Sequence, residues 1–303
     1  MIMSKSKLSV SVVIPNYNGI DLLKKNLASV VDASKKLSNR VIEVILVDDC
    51  SQDDSVSFTK DNFPEIKIIR HKINRGFAAS VNTGVRTSKG GLICLLNNDV
   101  GVSETFLEPV FNHFRDSKVF AVSLHEKGFG WAKGEFKDGF IVHKKGNEDV
   151  NFHESFWASG GSAVFRRDYW TNFGGFDEKV FKFYWEDVDL SYRAQKRGFK
   201  IIWEPKALVY HKHESTTSKV FSKKRLQKMQ EVNQLLFIWK NLTSQVMFKK
   251  HITGLLKRIS KSPGYFRIVL EACLKIKIVL KERKREKKEA KISDEAIFAK
   301  FTD

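Results

Sequence analysis

Three apolar runs in the first hundred residues each stop abruptly at a cluster of Asn and Asp. Residues 8–14 are dense in Val and run into Pro15-Asn16-Tyr17-Asn18; residues 41–47 run into Asp48-Asp49; residues 92–96 run into Asn97-Asn98-Asp99. Residues 66–70 form a fourth, shorter run. Such β-branched density marks strands, and 41–47, apolar almost throughout, reads as a strand covered on both faces. Between the runs the period changes to that of a helix. Leu22, Leu23, Leu27, Val30 and Val31 fall on one face of residues 21–33, with Asp21 available as an N-cap. Residues 51–62 open with Ser51, Asp53 and Asp54, which suit a helix N-terminus. Phe77, Ala78, Val81, Asn82 and Val85 line a third helix. Strand alternating with helix predicts a parallel sheet with right-handed crossovers. In such sheets ligands bind beyond the carboxyl ends of the strands. A turn explains any one polar cluster, whereas three on one sheet edge predict a binding site.

Residues 126–156 are glycine-rich, charged and weakly periodic, a long excursion that carries no motif. The pattern then tightens. Ala163-Val164-Phe165 reads as a strand, Asp168 opens a short helix ending at Gly174-Gly175, and residues 185–197 form a helix stopped by Gly198. Residues 201–203 and 207–210 read as two short strands, the second delivering His211 to a strand end. Trp185-Glu186-Asp187-Val188-Asp189 sets three carboxylates at a helix start, which dipole stabilisation and capping explain in part. Their neighbours are Phe181, Phe183, Tyr184 and Trp185. Flat aromatic faces beside carboxylates suit sugar rings, and a hydrophobic core would use the same aromatics. A hard cation held by a diphosphate needs one or two protein carboxylates and accepts an imidazole. Asp99 and His211, both at strand ends, are the candidates.

Charge divides the 303 residues unevenly. Residues 212–303 hold 23 Lys and Arg against 9 Asp and Glu, and so carry most of the net +18. The expectation is a nearly neutral catalytic body, 1–217, with a basic, mainly helical extension, 218–303. Leu226, Met229, Val232, Leu235, Leu236, Ile238 and Trp239 are spaced for a helix packed on that body, and 265–280 for a second amphipathic helix. Residues 281–291 then carry seven cations against three glutamates. A basic amphipathic helix suits an anionic membrane surface; a solvated helix end explains the charge equally well. Nucleic acid is excluded as a partner, because the tail has no module for it and the body is nearly neutral. No apolar run approaches the ~18 residues of a membrane span, and residues 1–8 lack the apolar segment of a secretory signal. Cys50, Cys94 and Cys273 are too few and scattered for a disulfide framework or zinc cluster. These features together predict a cytoplasmic protein able to sit on the inner face of the cell membrane.

Taken together the motifs resemble family 2 glycosyltransferases over about residues 8–217. The carrying stretches are 12–19, 47–55, Asn74-Arg75-Gly76-Phe77-Ala78, Asn82-Thr83-Gly84 and 96–100. Gly174-Gly175-Phe176-Asp177-Glu178, Glu186-Asp187-Val188-Asp189-Leu190 with Arg193, and His211 with Ser215 complete them. The branch resembled most includes rhamnosyltransferase-like enzymes of bacterial surface polysaccharide synthesis. The resemblance implies an α/β GT-A fold, Rossmann-like with a mainly parallel central sheet, and a sugar transferred with inversion from a UDP- or dTDP-sugar to a saccharide or lipid-linked acceptor. It implies that Pro15 and Tyr17 line the nucleotide pocket, that Asp49 hydrogen-bonds the uracil or thymine ring, and that Asn74 and Phe77 help close the pocket. Asn98 belongs with these nucleotide-sugar contacts. Asp99 corresponds to the carboxylate that binds Mg²⁺ or Mn²⁺, His211 to a further metal ligand and Asp187 to the catalytic base, while Trp185 and Glu186 face the acceptor or sugar. One departure stands out: Asn97-Asn98-Asp99 has one carboxylate where many relatives have two, which predicts weaker metal binding or greater reliance on the diphosphate. Two other functions compete, a nucleotidyltransferase and a catalytically silent nucleotide- or carbohydrate-binding protein. The first leaves Glu186-Asp187 idle, and the second leaves both Asp99 and Asp187 without a use.

Overall fold

The computed structural model describes residues 8–211 and 222–302. The expected boundary at 217/218 and Ser215 lie outside the described residues. In chain order the first half holds β1 (Val10–Asn16), α1 (Ile20–Ser34), β2 (Val41–Asp48), α2 (Ser55–Asn62), β3 (Lys67–Arg70), α3 (Phe77–Thr87), β4 (Leu92–Leu96) and β5 (Val100–Val102). There follow β6 (Val119–Glu126), β7 (Ala132–Lys137), β8 (Phe140–Lys145), β9 (His153–Glu154), β10 (Ser162–Arg166), α4 (Arg167–Phe173), α5 (Glu186–Lys196) and β11 (Lys200–His211). The C-terminal helices are α6 (Lys223–Asn241), α7 (Gln245–Lys261), α8 (Phe266–Cys273), α9 (Ile276–Glu289) and α10 (Asp294–Ala299).

Among the described residues nine strands form one sheet, in the order β3-β2-β1-β4-β10-β6-β11-β5 with β9 also on β11. The first four are parallel, as the alternating pattern predicts. β6 and β11 are parallel to each other and run the same way as β4, across the antiparallel β10. The sheet is therefore mainly parallel, with β5, β9 and β10 reversed. β1 is buried throughout because both its faces are covered. Val12 and Ile14 share a core cluster with Leu23, Leu27, Val30 and Val31 of α1, while Val13 belongs to the opposite cluster with Val81 and Val85 of α3. Gly84 permits that second contact, since a Cβ there would lie 2.3 Å from Val13 Cγ1.

Three local expectations are corrected. Residues 201–203 and 207–210 are one strand, β11, whose register with β6 slips between Glu204 and Leu208. Pro205 lies in the slip, where a residue without an N–H breaks a ladder least. Asp21 sits in the first turn of α1 and not at its cap; the Asp53 carboxylate accepts the Ile20 N–H instead. The excursion at 126–156 contains the β7–β8 hairpin, whose Phe140 and Ile141 are buried in a third cluster together with Phe156.

That third cluster joins the C-terminal helices to the catalytic body. Trp185, Val188 and Tyr192 pack there with Leu235, Phe237 and Trp239 of α6 and with Ile297 and Phe298 of α10. Buried ion pairs reinforce it. Lys240 Nζ lies 2.7 Å from Asp177 Oδ2 and 3.0 Å from Asp189 Oδ2, Lys196 Nζ lies 2.7 Å from Asp294 Oδ1, and Arg197 Nη1 lies 2.7 Å from Glu286 Oε2. To these pairs the tail contributes one cation, Lys240, and two carboxylates, Glu286 and Asp294, so most of its lysines and arginines lie outside them. No helix among the described residues is long and apolar enough to cross a membrane.

Asp294 is fully buried and also accepts the Tyr192 hydroxyl and the N–H groups of Thr243 and Ser244. Asp294→Ala leaves Lys196 charged and unpaired in the interior, at a cost of about 3–5 kcal/mol. Urea unfolding is expected to register that loss, and a change under ~1 kcal/mol would show that α10 is not anchored this way.

Candidate active site

A cavity of about 510 Å³ opens at the carboxyl edge of the sheet, within the usual range for a small-molecule site. Strand ends supply much of its wall: Pro15 and Asn16 from β1, Asp49 after β2, Asn97 to Asp99 after β4, Glu126 from β6 and His211 from β11. Because β10 runs the other way, its beginning reaches the same edge and contributes Ser159, Gly160 and Gly161. Asp49, Asp99, Asp187 and His211, distant in the chain, therefore share one cleft.

The strand ends are tied together by amides. Asn16 Nδ2 donates to Asp48 Oδ1 (3.2 Å) and Asn98 Nδ2 donates to Asn16 Oδ1 (2.7 Å), lacing β2 to β1 and β1 to β4. Asp48 Oδ2 accepts the Ser51 N–H, and the Ser51 hydroxyl in turn accepts the Asn18 N–H. Asn98 thus lines the cavity while its amide is spent on the scaffold.

Asp49 is buried and well held. Its Oδ1 accepts the Arg75 N–H (2.8 Å) and lies 2.7 Å from His71 Nδ1, and its Oδ2 accepts the Gly76 N–H (2.7 Å). Gly76 adopts φ +90°, a conformation natural to glycine, in making this contact. A carboxylate has about four acceptor positions, so Oδ2 retains one for a ring N–H. Tyr17, Asn74 and Phe77 line the cavity with Asp49. His71, braced on its other side by the Thr83 hydroxyl at 3.0 Å, is a positioning residue not anticipated from the sequence.

His211 lies between two carboxylates, with Nε2 3.0 Å from Asp99 Oδ1 and Nδ1 3.1 Å from Glu126 Oε2. Burial works against the imidazolium, but Asp99 and Glu126 outweigh it and raise the pKa to about 9. Asp99 Oδ1 is buried and has no hydrogen bond of good geometry. One carboxylate and one imidazole fit a divalent cation. Among the described residues no group of three or more His, Cys, Asp or Glu side chains is arranged to hold one, so an ion here would need further oxygens from its ligand.

The three carboxylates at the start of α5 have different surroundings. Asp189 is fully buried and paired with Arg193, Lys240 and Asn241. Burial opposes its charge, yet Arg193 and Lys240 hold it below the usual carboxylate range. Glu186 and Asp187 face the cavity. Burial, with the Asp187 charge added, pushes Glu186 well above the ordinary value. Burial raises Asp187 too, while the N–H groups of Gly160 (3.1 Å) and Val188 (2.8 Å) pull the other way and fix the carboxylate's orientation. Tyr184 and Trp185 deliver the pair through consecutive left-handed conformations, φ +63° and +74°; such strain persists only where surrounding structure enforces it. The enforcement comes from α6, whose Asn233 amide donates to the Phe183 and Tyr184 carbonyls, and from Asn82, which donates to the Phe176 carbonyl and accepts its N–H.

Trp185 does not line the cavity. Its ring lies in the third core cluster, 5.2 Å from that of Phe237, and of the aromatic run 181–185 Phe183 and Tyr184 line the cavity, with Tyr17 and Phe77 elsewhere on its wall. Glu126 could have been found from the sequence, since the apolar run 119–124 ends on it as the other strands end on their polar clusters.

Comparison with known proteins agrees with this geometry. The pre-mycofactocin glycosyltransferase of Mycobacterium tuberculosis is 29% identical over 218 residues, which cover 69% of this chain and 43% of that protein, so the chain spans under half of that relative's length. The O-antigen chain rhamnosyltransferase RfbN of Salmonella typhimurium is 22% identical over 232 residues, covering 71% of this chain and 70% of the relative. GalNAc-T7, solved with UDP, GalNAc and Mn²⁺, superposes with a TM-score of 0.64 at 15% identity, covering 86% of this chain and 57% of its own, which shows a shared GT-A fold. Residues 11–173 match the family model for Glycosyl transferase family 2, and the chain, with that fold and a helical C-terminal region, belongs to this family.

Proposed function

We propose that the chain transfers a glycosyl unit from a UDP- or dTDP-sugar to a hydroxyl of a saccharide or lipid-linked saccharide acceptor, with inversion, in the synthesis of a bacterial surface polysaccharide. The observation that carries this reading is that one cavity holds both a backbone-oriented carboxylate, Asp187, and the Asp99–His211 pair. The O-antigen relative supports the pathway, and the UDP and Mn²⁺ bound by GalNAc-T7 support the donor and metal.

The free acceptor position on Asp49 Oδ2 suits the ring N–H of uracil or thymine. Asn74, Tyr17 and Phe77 flank the base, and Pro15 lies under it. The acceptor sugar lies against Phe183, Tyr184 and Glu186. Asp187 takes the proton of the attacking hydroxyl as the new bond forms on the face opposite the leaving diphosphate, so configuration inverts. Gly160 and Val188 keep the accepting oxygen in place meanwhile. Asp99 and His211 would hold Mg²⁺ or Mn²⁺, which when bound supplies Lewis-acid stabilisation of the leaving phosphate. Glu186, whose charge is disfavoured by burial and by Asp187, faces the acceptor as a hydrogen-bonding partner.

Asp187→Asn is expected to lower kcat by ~10²–10⁴-fold while the Kd for UDP with Mn²⁺ stays within about threefold; near-normal turnover would refute the base assignment, and no release of nucleotide by the unaltered protein with any acceptor would favour a silent binder. The raised Asp187 pKa also fixes the acid side of the pH profile. The base is lost as pH falls through that pKa, so log(kcat/KM) should decline with unit slope from above pH ~4, the ordinary carboxylate value. A decline confined below pH 4 would mean that another group is being titrated.

Asp99→Ala is expected to remove most of the gain in UDP affinity that Mn²⁺ gives. Calorimetric titration with and without Mn²⁺ measures this, and an unchanged gain would move the metal site elsewhere.

A further inference from the structure

The C-terminal helices present an outer face that the transfer reaction does not use. α8 and α9 pack on α6, turning Ala272 and Val279 inward, where both are buried. On the other side of α8, Phe266, Leu270, Cys273 and Leu274 follow one another at steps of four, three and one, and so share a helical face. All are exposed, Phe266 by 50%, Leu270 by 51% and Leu274 by 85%. Soluble surfaces carry single exposed apolar residues routinely, but a contiguous set marks an interaction site. The exposed Leu256 of α7 and Leu280 of α9 add to the apolar surface of this region.

The charge around this set is mostly of one sign, with Glu271 of α8 paired to Lys228 and Glu282 of α9 half-buried. Residues 245–270 contain no Asp or Glu but carry Lys249, Lys250, Lys257, Arg258, Lys261 and Arg267. In α9, Lys277, Lys281, Lys284 and Lys288 repeat at steps of four, three and four along the exposed face, and none of them has an anionic partner among the described residues. Inward-facing cations of the same region are engaged. Lys275 donates to the Val180 carbonyl and Arg283 to that of Trp239, and the exposed Arg285 is paired with Glu289. Exposed lysines without an anionic partner thus stand on the helix that directly follows the one exposing Phe266, Leu270 and Leu274.

We propose that this face of α8 and α9, with the exposed side of α7, docks the protein on the surface of an anionic lipid bilayer. Exposed leucine and phenylalanine beside unpaired lysine match the two layers of such a surface. The apolar side chains enter the acyl boundary, and the lysine stems lie along it with their ammonium groups at the lipid phosphates. A polynucleotide would satisfy the lysines and leave the apolar set in water. Because α6, which backs this face, also holds the carbonyls of Phe183 and Tyr184, a docked protein would keep its acceptor wall on the element directly behind the docked helices.

The test is sedimentation of the full chain with sucrose-loaded vesicles, of phosphatidylcholine alone or with phosphatidylglycerol at three to two, at low and high salt. Binding is expected to the anionic vesicles only and to weaken with salt. Each lysine near an anionic surface contributes roughly fivefold, so K277E/K281E/K284E should lose ~100-fold or more in affinity, and Leu270→Ser with Leu274→Ser at least ~10-fold. All five positions are exposed, and melting curves and UDP binding should match the unaltered protein, which separates this result from any failure of the transfer reaction. Equal binding to neutral vesicles would overturn the proposal. So would a loss in the charge variant alone, since attraction to any polyanion, nucleic acid included, would explain that. A dye sensitive to polarity on Cys273, in a Cys50→Ser background, gives an independent reading: a blue shift with anionic vesicles supports insertion, and its absence refutes it.

Discussion

The amide of Asn16 holds the active edge of this molecule together. Parallel strands end with their carbonyls and side chains pointing into solvent, and nothing in the ladder itself keeps neighbouring ends in register. Here Asn16 donates to Asp48 on one side and accepts from Asn98 on the other, so three strand ends behave as one rigid rim. Asp49 and Asp99 are each the next residue after a member of that chain. Their separation is thereby set by hydrogen bonds, and the loops need contribute little. Buried side-chain networks of this kind give geometric definition when every member is satisfied. The Asp49 carboxylate, with its N–H donors and His71, continues the same logic one step farther from the sheet.

The other half of the site depends on the C-terminal helices. Two consecutive left-handed residues would not persist in a free loop, and their carbonyl partner is Asn233 on α6. Lys240 on the same helix neutralises Asp177 and Asp189, which bracket the loop. The tail is accordingly part of the machinery that presents Asp187, whatever its outer face binds. One layer of helices can serve both purposes because its inner and outer faces are chemically independent.

Much of this was legible in the primary structure where the signal was local. A run of β-branched residues ending on Asn or Asp is read from neighbours in sequence, and for that reason β1, β2 and β4 and their polar ends were identifiable. Whether a carboxylate of Glu186-Asp187-Val188-Asp189 faces cavity or core is not local. It depends on Lys240 and Asn241, some fifty residues away, and the spacing within α5 cannot report it. Trp185 misleads for the same reason, since an aromatic next to two carboxylates reads alike whether it stacks on a sugar or on Phe237. The β7–β8 hairpin escaped because lysines occupy most of its outward positions, leaving only Phe140 and Ile141 to mark the buried side. β11 was divided in two because Pro205 interrupts the apolar period without interrupting the strand.

The charge inside the cavity accounts for the single carboxylate of Asn97-Asn98-Asp99. Five acidic side chains line a site that would receive a diphosphate: Asp49, Asp99, Glu126, Glu186 and Asp187. Asp49 is offset by its N–H donors and His71, Asp99 and Glu126 share the His211 imidazolium, and burial with the Asp187 charge disfavours ionisation of Glu186. Asp187, the base proposed above, has no cation paired with it and is oriented by backbone N–H groups alone. A second carboxylate at position 97 would add a charge that no group in the cavity offsets, and only a tightly held cation would make it tolerable. With an amide there instead, the protein contributes little more to such an ion than Asp99 and a His211 that has lost its proton, the ion's own charge then replacing the imidazolium's beside Asp99 and Glu126. On the proposed reading the diphosphate would complete the coordination, coupling metal binding to donor binding more closely than a two-carboxylate motif would.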